Sequence, residues 1–242
     1  MIGYWLVIAM VLCALIAVVV AFAIEAPEHE IVRHSTPPRS TAPQKQVWLA
    51  LGASGTTANE LQDETPAPWA SLLIGHLPPQ AVGHNLSTPH ATVAEVRRDQ
   101  LPAAITSSPH AAALWVGLDD LLQGTSIEAF EEDLLAVLAR LSATGCAVVL
   151  GTVPDVVGQP ELQALGFTDE LLRLHVQHWN ASITRVGSAL GATVIDGFAG
   201  SDDIEVRVRY LDDPEVFLSA RGHTHLAELL YPLMLQTLPA SR

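Results

Sequence analysis

Four short stretches hold the side chains from which a reaction could be built. The first, Gly52-Ala53-Ser54-Gly55, closes the apolar run 47–52 and opens a threonine-rich segment. A serine just past the C-terminal end of a first strand lies where open α/β sheets carry their sites. Glycines on both sides let the chain turn sharply and let a substrate approach the backbone. Such a serine is a nucleophile when a base takes its proton; otherwise Ser54 or Thr56 is only a helix N-cap. The second stretch is Asn85-Leu86-Ser87-Thr88-Pro89-His90-Ala91-Thr92 and the third Gly117-Leu118-Asp119-Asp120. The fourth is Ser219-Ala220-Arg221-Gly222-His223. His90, His223 and His225 are the candidate bases for Ser54, and Asp212, Asp213 or Glu215 could orient one of them. Against each histidine stands the reading of a turn, surface or helix-cap residue.

Other chemistry finds less support. His175 and His178 lie three apart on one helix face, a metal-compatible spacing with no third ligand in evidence. The pairs Asp202-Asp203 and Asp212-Asp213 read as solvated loop acids, so neither a metal nor a cofactor is expected. Cys13 falls in an N-terminal apolar segment and Cys146 in a predicted buried strand, so no disulfide framework is implied. Asn85-Leu86-Ser87 and Asn180-Ala181-Ser182 fit the glycosylation pattern but adjoin a predicted buried turn and a helix.

The elements that must position these residues alternate along the chain. Strands are predicted at 47–52, 81–87, 111–117, 146–151 and 192–196. Helices are predicted at 69–77, 92–101, 126–141, 169–190 and 222–238, the last broken or bent near Pro232. Thr92 with Glu95 three residues on forms a capping box, and Pro102 follows that helix. Ser126 caps the next helix, whose apolar stripe is Ile127, Phe130, Leu134, Leu135, Leu138 and Leu141. Strands alternating with helices imply an α/β fold: a five-stranded parallel sheet covered on both faces, a three-layer α/β/α sandwich.

Residues 1–24 carry no charge, and 2–24 is long enough to cross a bilayer. Ala21-Phe22-Ala23 has the small-x-small form of a cleavage site, but no basic residue precedes the apolar run. The reading is a transmembrane signal anchor over 1–24, with secretion after cleavage near Ala23 as the alternative. A proline-rich linker follows at 25–46, too poor in apolar surface to fold, and then one domain at 47–242 outside the cytoplasm. Nearly half of the 242 residues are apolar, enough for a sizeable core. The formal charge of −14, from 26 acidic and 12 basic residues, argues against a nucleic-acid partner.

The order and spacing of the four stretches resemble the SGNH/GDSL hydrolase family over about Val47 to Leu238. Weaker cues agree: DQLPAA at 99–104, AFEEDL at 129–134, GTVPD at 151–155 and HWNASI at 178–183. The resemblance implies a flavodoxin-like sandwich and acyl transfer from small ester substrates, with Ser54 as nucleophile. It places His90 where the family has an oxyanion-binding Gly, and Asp119 where it has an oxyanion-binding Asn. Ala53 replaces a non-catalytic Asp. The family's last block is Asp-x-x-His, and no such pair stands between residue 197 and the end. One register puts Arg221 at the Asp position and leaves His223 as base; the other, which needs no gap, puts Pro214 at the Asp and Phe217 at the His. A carboxylate accepts hydrogen bonds where the developing oxyanion needs donors. Two functions are therefore in view: a membrane-anchored serine esterase or lipase-like hydrolase, weak or inactive, and a pseudoenzyme acting as a ligand-binding or protein-interaction module.

Overall fold

The computed structural model describes residues 45–54, 68–164, 166–196 and 220–237. Among the described residues, five parallel strands form one sheet in the order β2-β1-β3-β4-β5. They are β1 (Gln46–Gly52), β2 (Ala81–Asn85), β3 (Ala111–Trp115), β4 (Ala147–Gly151) and β5 (Thr193–Ile195). The helices are α1 (Trp69–Gly75), α2 (Val93–Glu95), α3 (Leu101–Thr106), α4 (Leu118–Leu122), α5 (Ile127–Ala143), α6 (Pro160–Ala164), α7 (Asp169–Ala189) and α8 (Ala220–Gln236). The predicted α/β sandwich is thus the observed one. Its strand order is that of doubly wound sheets whose direction of winding reverses between β1 and β3, opening a crevice at their C-terminal ends.

Alternation along the strands divides the core in two. Leu49, Leu51, Ala112, Leu114, Val148 and Leu150 share one cluster with Phe130, Leu134 and Leu138 of α5 and with Trp179 and Ile183 of α7. Trp48, Ala50, Ala111, Ala113, Trp115 and Val149 share the other with Trp69 and Leu73 of α1 and Leu226, Leu230 and Met234 of α8. Successive strand side chains point to opposite faces, so a strand clothed on both sides reads as a continuous apolar run. Burial pushes the Cys146 thiol up to about 12, which keeps it protonated.

Three expectations need correction. The helix predicted to end at Leu101 continues through a π turn (Val96–Gln100) into α3. Pro102 is accommodated because it falls in the first turn of α3, where its missing N–H removes no helical bond. Leu135, placed on the buried stripe of α5, is 49% exposed, and Val137 is buried in its stead. Leu135 follows Leu134 by one residue and so is rotated about 100° off the stripe. Finally, α8 runs through Pro232 as one helix. The capping box at Thr92 and the cap at Ser126 form as expected.

The anchor at 1–24 and the linker at 25–46 lie almost wholly outside the described residues. Among the described residues, no helix is long and apolar enough to cross a membrane.

Candidate active site

Ser54 is built into place from three sides. Its N–H donates to the Thr88 carbonyl at 3.0 Å, and Thr88 N–H donates back to the Gly52 carbonyl at 3.1 Å. On the other side, Ala53 N–H donates to the Trp115 carbonyl at 2.8 Å. The buried Gln100 amide clamps the turn. Its Oε1 accepts from Gly52 N–H at 2.8 Å, and its Nε2 donates to the Gly52 carbonyl at 3.1 Å and to Thr88 Oγ1 at 3.2 Å. Gly52 has φ of +102°, and a Cβ there would lie 1.9 Å from the Trp115 carbonyl oxygen. Only glycine fits that position. Ser54 itself is buried. It lies past the end of β1, in the crevice where the winding reverses.

The two candidate oxyanion positions meet each other. His90 follows β2 and Asp119 follows β3. His90 Nδ1 lies 3.0 Å from Asp119 Oδ1. A carboxylate only accepts, so the imidazole carries its proton on Nδ1. The His90 side chain is 43% exposed and that of Asp119 12%. Burial raises the Asp119 carboxyl above its ordinary value, and the hydrogen bond and charge of His90 oppose that rise. His90 adopts φ of +54°, the left-handed region that normally favours glycine. The residue thus keeps the backbone of a glycine position while adding a side chain. Gln123 holds both partners: its side chain donates to the His90 carbonyl at 3.3 Å, and its N–H donates to the Asp119 carbonyl at 2.9 Å.

The neighbouring Asp120, fully buried, does different work. Both its oxygens accept from Val93 N–H, at 3.0 and 3.1 Å, tying the start of α4 to the start of α2. Desolvation nonetheless pushes its carboxyl up to about 7, against the hydrogen bonds that favour its charged form.

His223 lies on α8, fully buried. Its Nδ1 accepts from Trp69 N–H at 3.2 Å. That N–H is the first of α1, whose preceding Pro68 offers no side-chain cap. His223 therefore meets an orphan donor at a helix start. The Trp69 indole N–H donates to the Ala53 carbonyl at 3.3 Å, so Trp69 ties the Ser54 turn to the helix bearing His223. With Nδ1 accepting, neutral His223 carries its proton on Nε2. Arg221, placed at the Asp position by one register, is exposed on α8. Pro214 and Phe217 of the other register, like Asp202, Asp203, Asp212, Asp213, Glu215 and Ser219, lie outside the described residues.

Several side chains outside the four stretches prove to be clamps. Asn180, in the second glycosylation pattern, accepts from Val153 N–H at 2.8 Å and donates to the Val153 carbonyl at 2.9 Å. Asn85 accepts from both N–H and hydroxyl of Ser87. No group of three metal-ligating side chains occurs among the described residues, His175 and His178 included. Gln100 and Gln123 were not foreseen. The DQLPAA run marked the first by position, whereas no pattern marked the second.

The sequence matches the model of the GDSL-like lipase/acylhydrolase family over residues 50–225. With this sheet order and a serine at the reversal of winding, the chain belongs to that family. Solved structures agree in fold. A lipase/acylhydrolase from Enterococcus faecalis superposes with a TM-score of 0.65 at 17% identity, over 81% of this chain and 99% of that one. A variant of Axe2, an acetyl xylan esterase from Geobacillus stearothermophilus, gives 0.59 at 14% identity, over 81% and 97%. LAE5, an α/β hydrolase enzyme from the metagenome of Lake Arreo, Spain, gives 0.60 at 16%, over 80% and 97%. No curated protein sequence is a match to the chain.

Proposed function

We propose that the chain is a slow serine ester hydrolase, held to a membrane through residues 2–24, with the domain at 47–242 outside the cytoplasm. One observation carries the reading: the Gly52-Ala53-Ser54 turn past the end of β1, at the reversal of winding, is clamped by Gln100 at Gly52, Trp115 at Ala53 and Thr88 at Ser54. A turn held from three sides around a serine provides the fixed geometry that acyl transfer needs. Small acyl esters are the substrates to try first, because a fold relative is an acetyl xylan esterase. Turnover is slow because oxyanion donors are short. Ser54 N–H already donates to Thr88, and Asp119 is a carboxylate. Losing one such donor costs about 3 kcal/mol.

The same two features favour a second reading, in which the fold serves as a binding module without turnover. The readings separate on Ser54. Full-length protein is expected to release p-nitrophenol from p-nitrophenyl acetate, and Ser54→Ala to remove that activity. Equal rates for the two proteins would sink the hydrolase reading. Labelling of Ser54 by a fluorophosphonate would sink the binding-module reading. Fractionation of cells expressing the full chain tests the anchor: release of the protein into the medium would favour cleavage near Ala23.

A further inference from the structure

We propose that His90 is the general base for Ser54 and that Asp119 is the carboxylate that orients it, an assignment that rests on reading Ser54 as the nucleophile. The pair would supply from the ends of β2 and β3 what the missing Asp-x-x-His block supplies in the family.

Hydrogen-bond polarity is the first support. Ionised Asp119 can only accept, so neutral His90 holds its proton on Nδ1 and presents a lone pair at Nε2. A serine proton must go to such a lone pair, and an acidic partner on the far nitrogen stabilises the imidazolium that results. His223 shows the opposite arrangement: its Nδ1 accepts from Trp69 N–H, so its Nε2 is a donor.

Placement is the second support. Thr88 is hydrogen-bonded to both Gly52 and Ser54, and His90 is two residues further on. Trp115 is hydrogen-bonded to Ala53, and Asp119 is four residues further on. Strands β2, β1 and β3 are adjacent in that order, so the segments that carry His90, Ser54 and Asp119 all follow the C-terminal ends of neighbouring strands. Backbone conformation is the third. A histidine at φ of +54° is in a region that costs a side-chain-bearing residue energy, and such strain gathers at working sites. Gln123, whose side chain donates to the His90 carbonyl, is a positioning residue for His90.

The step balances without a co-reactant. Ser54 Oγ bonds to the ester carbonyl carbon while its proton passes to His90 Nε2. Collapse of the tetrahedral adduct breaks the ester C–O bond, and the leaving alkoxide takes that proton. Water then attacks the acyl-serine, giving its proton to Nε2, which returns it to Ser54 Oγ as the acid departs.

The test turns on the sign of two changes. Asp119→Asn and His90→Gly each restore the residue type of the family's oxyanion site. If those positions act only as a damaged oxyanion site, both variants speed the reaction. If they are base and orienter, both slow it by about 100-fold or more, the usual contribution of a general base. His90→Gly suits the left-handed backbone, so a folded protein is expected, and far-UV circular dichroism checks it. Free imidazole should restore part of its rate, with His90→Gly/Ser54→Ala as the blank. The rates are p-nitrophenyl acetate turnover and fluorophosphonate labelling of Ser54, on the full-length chain. A rise or no change in folded Asp119→Asn and His90→Gly, with Ser54→Ala inactive, overturns this assignment and leaves Ser54 as nucleophile. If wild type and Ser54→Ala are alike in turnover and neither is labelled, the hydrolase reading falls, and this one with it.

Discussion

His90 and His223 flank the same serine turn and are set up in opposite ways. His90 is half-exposed, strained in backbone, and faces an acceptor. His223 is fully buried on a regular helix and faces a donor. The partner decides the tautomer: a carboxylate puts the proton on Nδ1, a backbone N–H leaves it on Nε2. Position in the chain points to His223 as the base, because it lies just before or within the last helix. Hydrogen-bond polarity points to His90. A histidine's place in a family pattern is therefore weaker information than the atom its Nδ1 faces.

The largest effect expected around this contrast belongs to the carboxylates on the His90 side. Asp119 is met by an imidazole, whereas Asp120 is met by backbone N–H and fully buried, with its carboxyl pushed up to about 7. The unfolded chain releases that proton at about pH 4. Between those values the folded state holds more protons, so raising the pH favours unfolding. The stabilisation is complete below about pH 4 and is lost as pH rises through about 7, a swing on the order of 4 kcal/mol. Asp119, also raised, adds to the same trend, and Glu131, lowered by Arg185 and then Ser182, opposes it. Asp120→Asn keeps an oxygen for Val93 N–H and removes the titration. Urea unfolding from pH 4 to 8 should show the variant gaining on wild type as pH rises. A difference that stays constant with pH would mean that Asp120 titrates normally.

Much of this was legible in the sequence, for stated reasons. Alternating apolar runs and helical stripes gave the sandwich, because a parallel sheet covered on both faces demands both patterns at once. Ser54, His90 and Asp119 stand out as candidates by their place after a strand. What could not be read was the pairing of His90 with Asp119, 29 residues apart, since spacing says nothing of which side chains meet across a crevice. The DQLPAA and HWNASI runs mark the positions of Gln100 and Asn180, but their clamping roles were hidden for a related reason. Each spends its amide on a distant peptide, and an amide that clamps a backbone has the same letter as one in solvent. The continuation through Pro102 was masked by the π turn, which resets the helix so that proline falls in a first turn.

An intermediate effect belongs to His223. If its part is to receive Trp69 N–H, His223→Leu leaves a buried donor without an acceptor at a cost of about 1–3 kcal/mol. The loss should appear in urea unfolding, with faster hydrogen exchange at the Trp69 amide. Nitrogen NMR of the wild-type imidazoles sharpens the contrast directly, with the proton on Nδ1 in His90 and on Nε2 in His223. Unchanged stability in His223→Leu, or the same tautomer in both rings, would erase the distinction between the two corners.

The smallest effect on stability is expected at His90, where the largest effect on rate is proposed. His90→Gly removes the strain of a left-handed side-chain-bearing residue, a gain of about 1 kcal/mol. It also removes the bond to the largely buried Asp119 carboxylate, a loss of about 1.5–2 kcal/mol. The two partly cancel, so the variant should unfold within about 1 kcal/mol of wild type. A residue that matters to rate and not to stability is one whose side chain is held for chemistry. A loss above about 3 kcal/mol, in the range of broken buried networks, would show that His90 holds the fold together. The pair with Asp119 would then be a structural clamp of the same kind as Gln100 and Asn180.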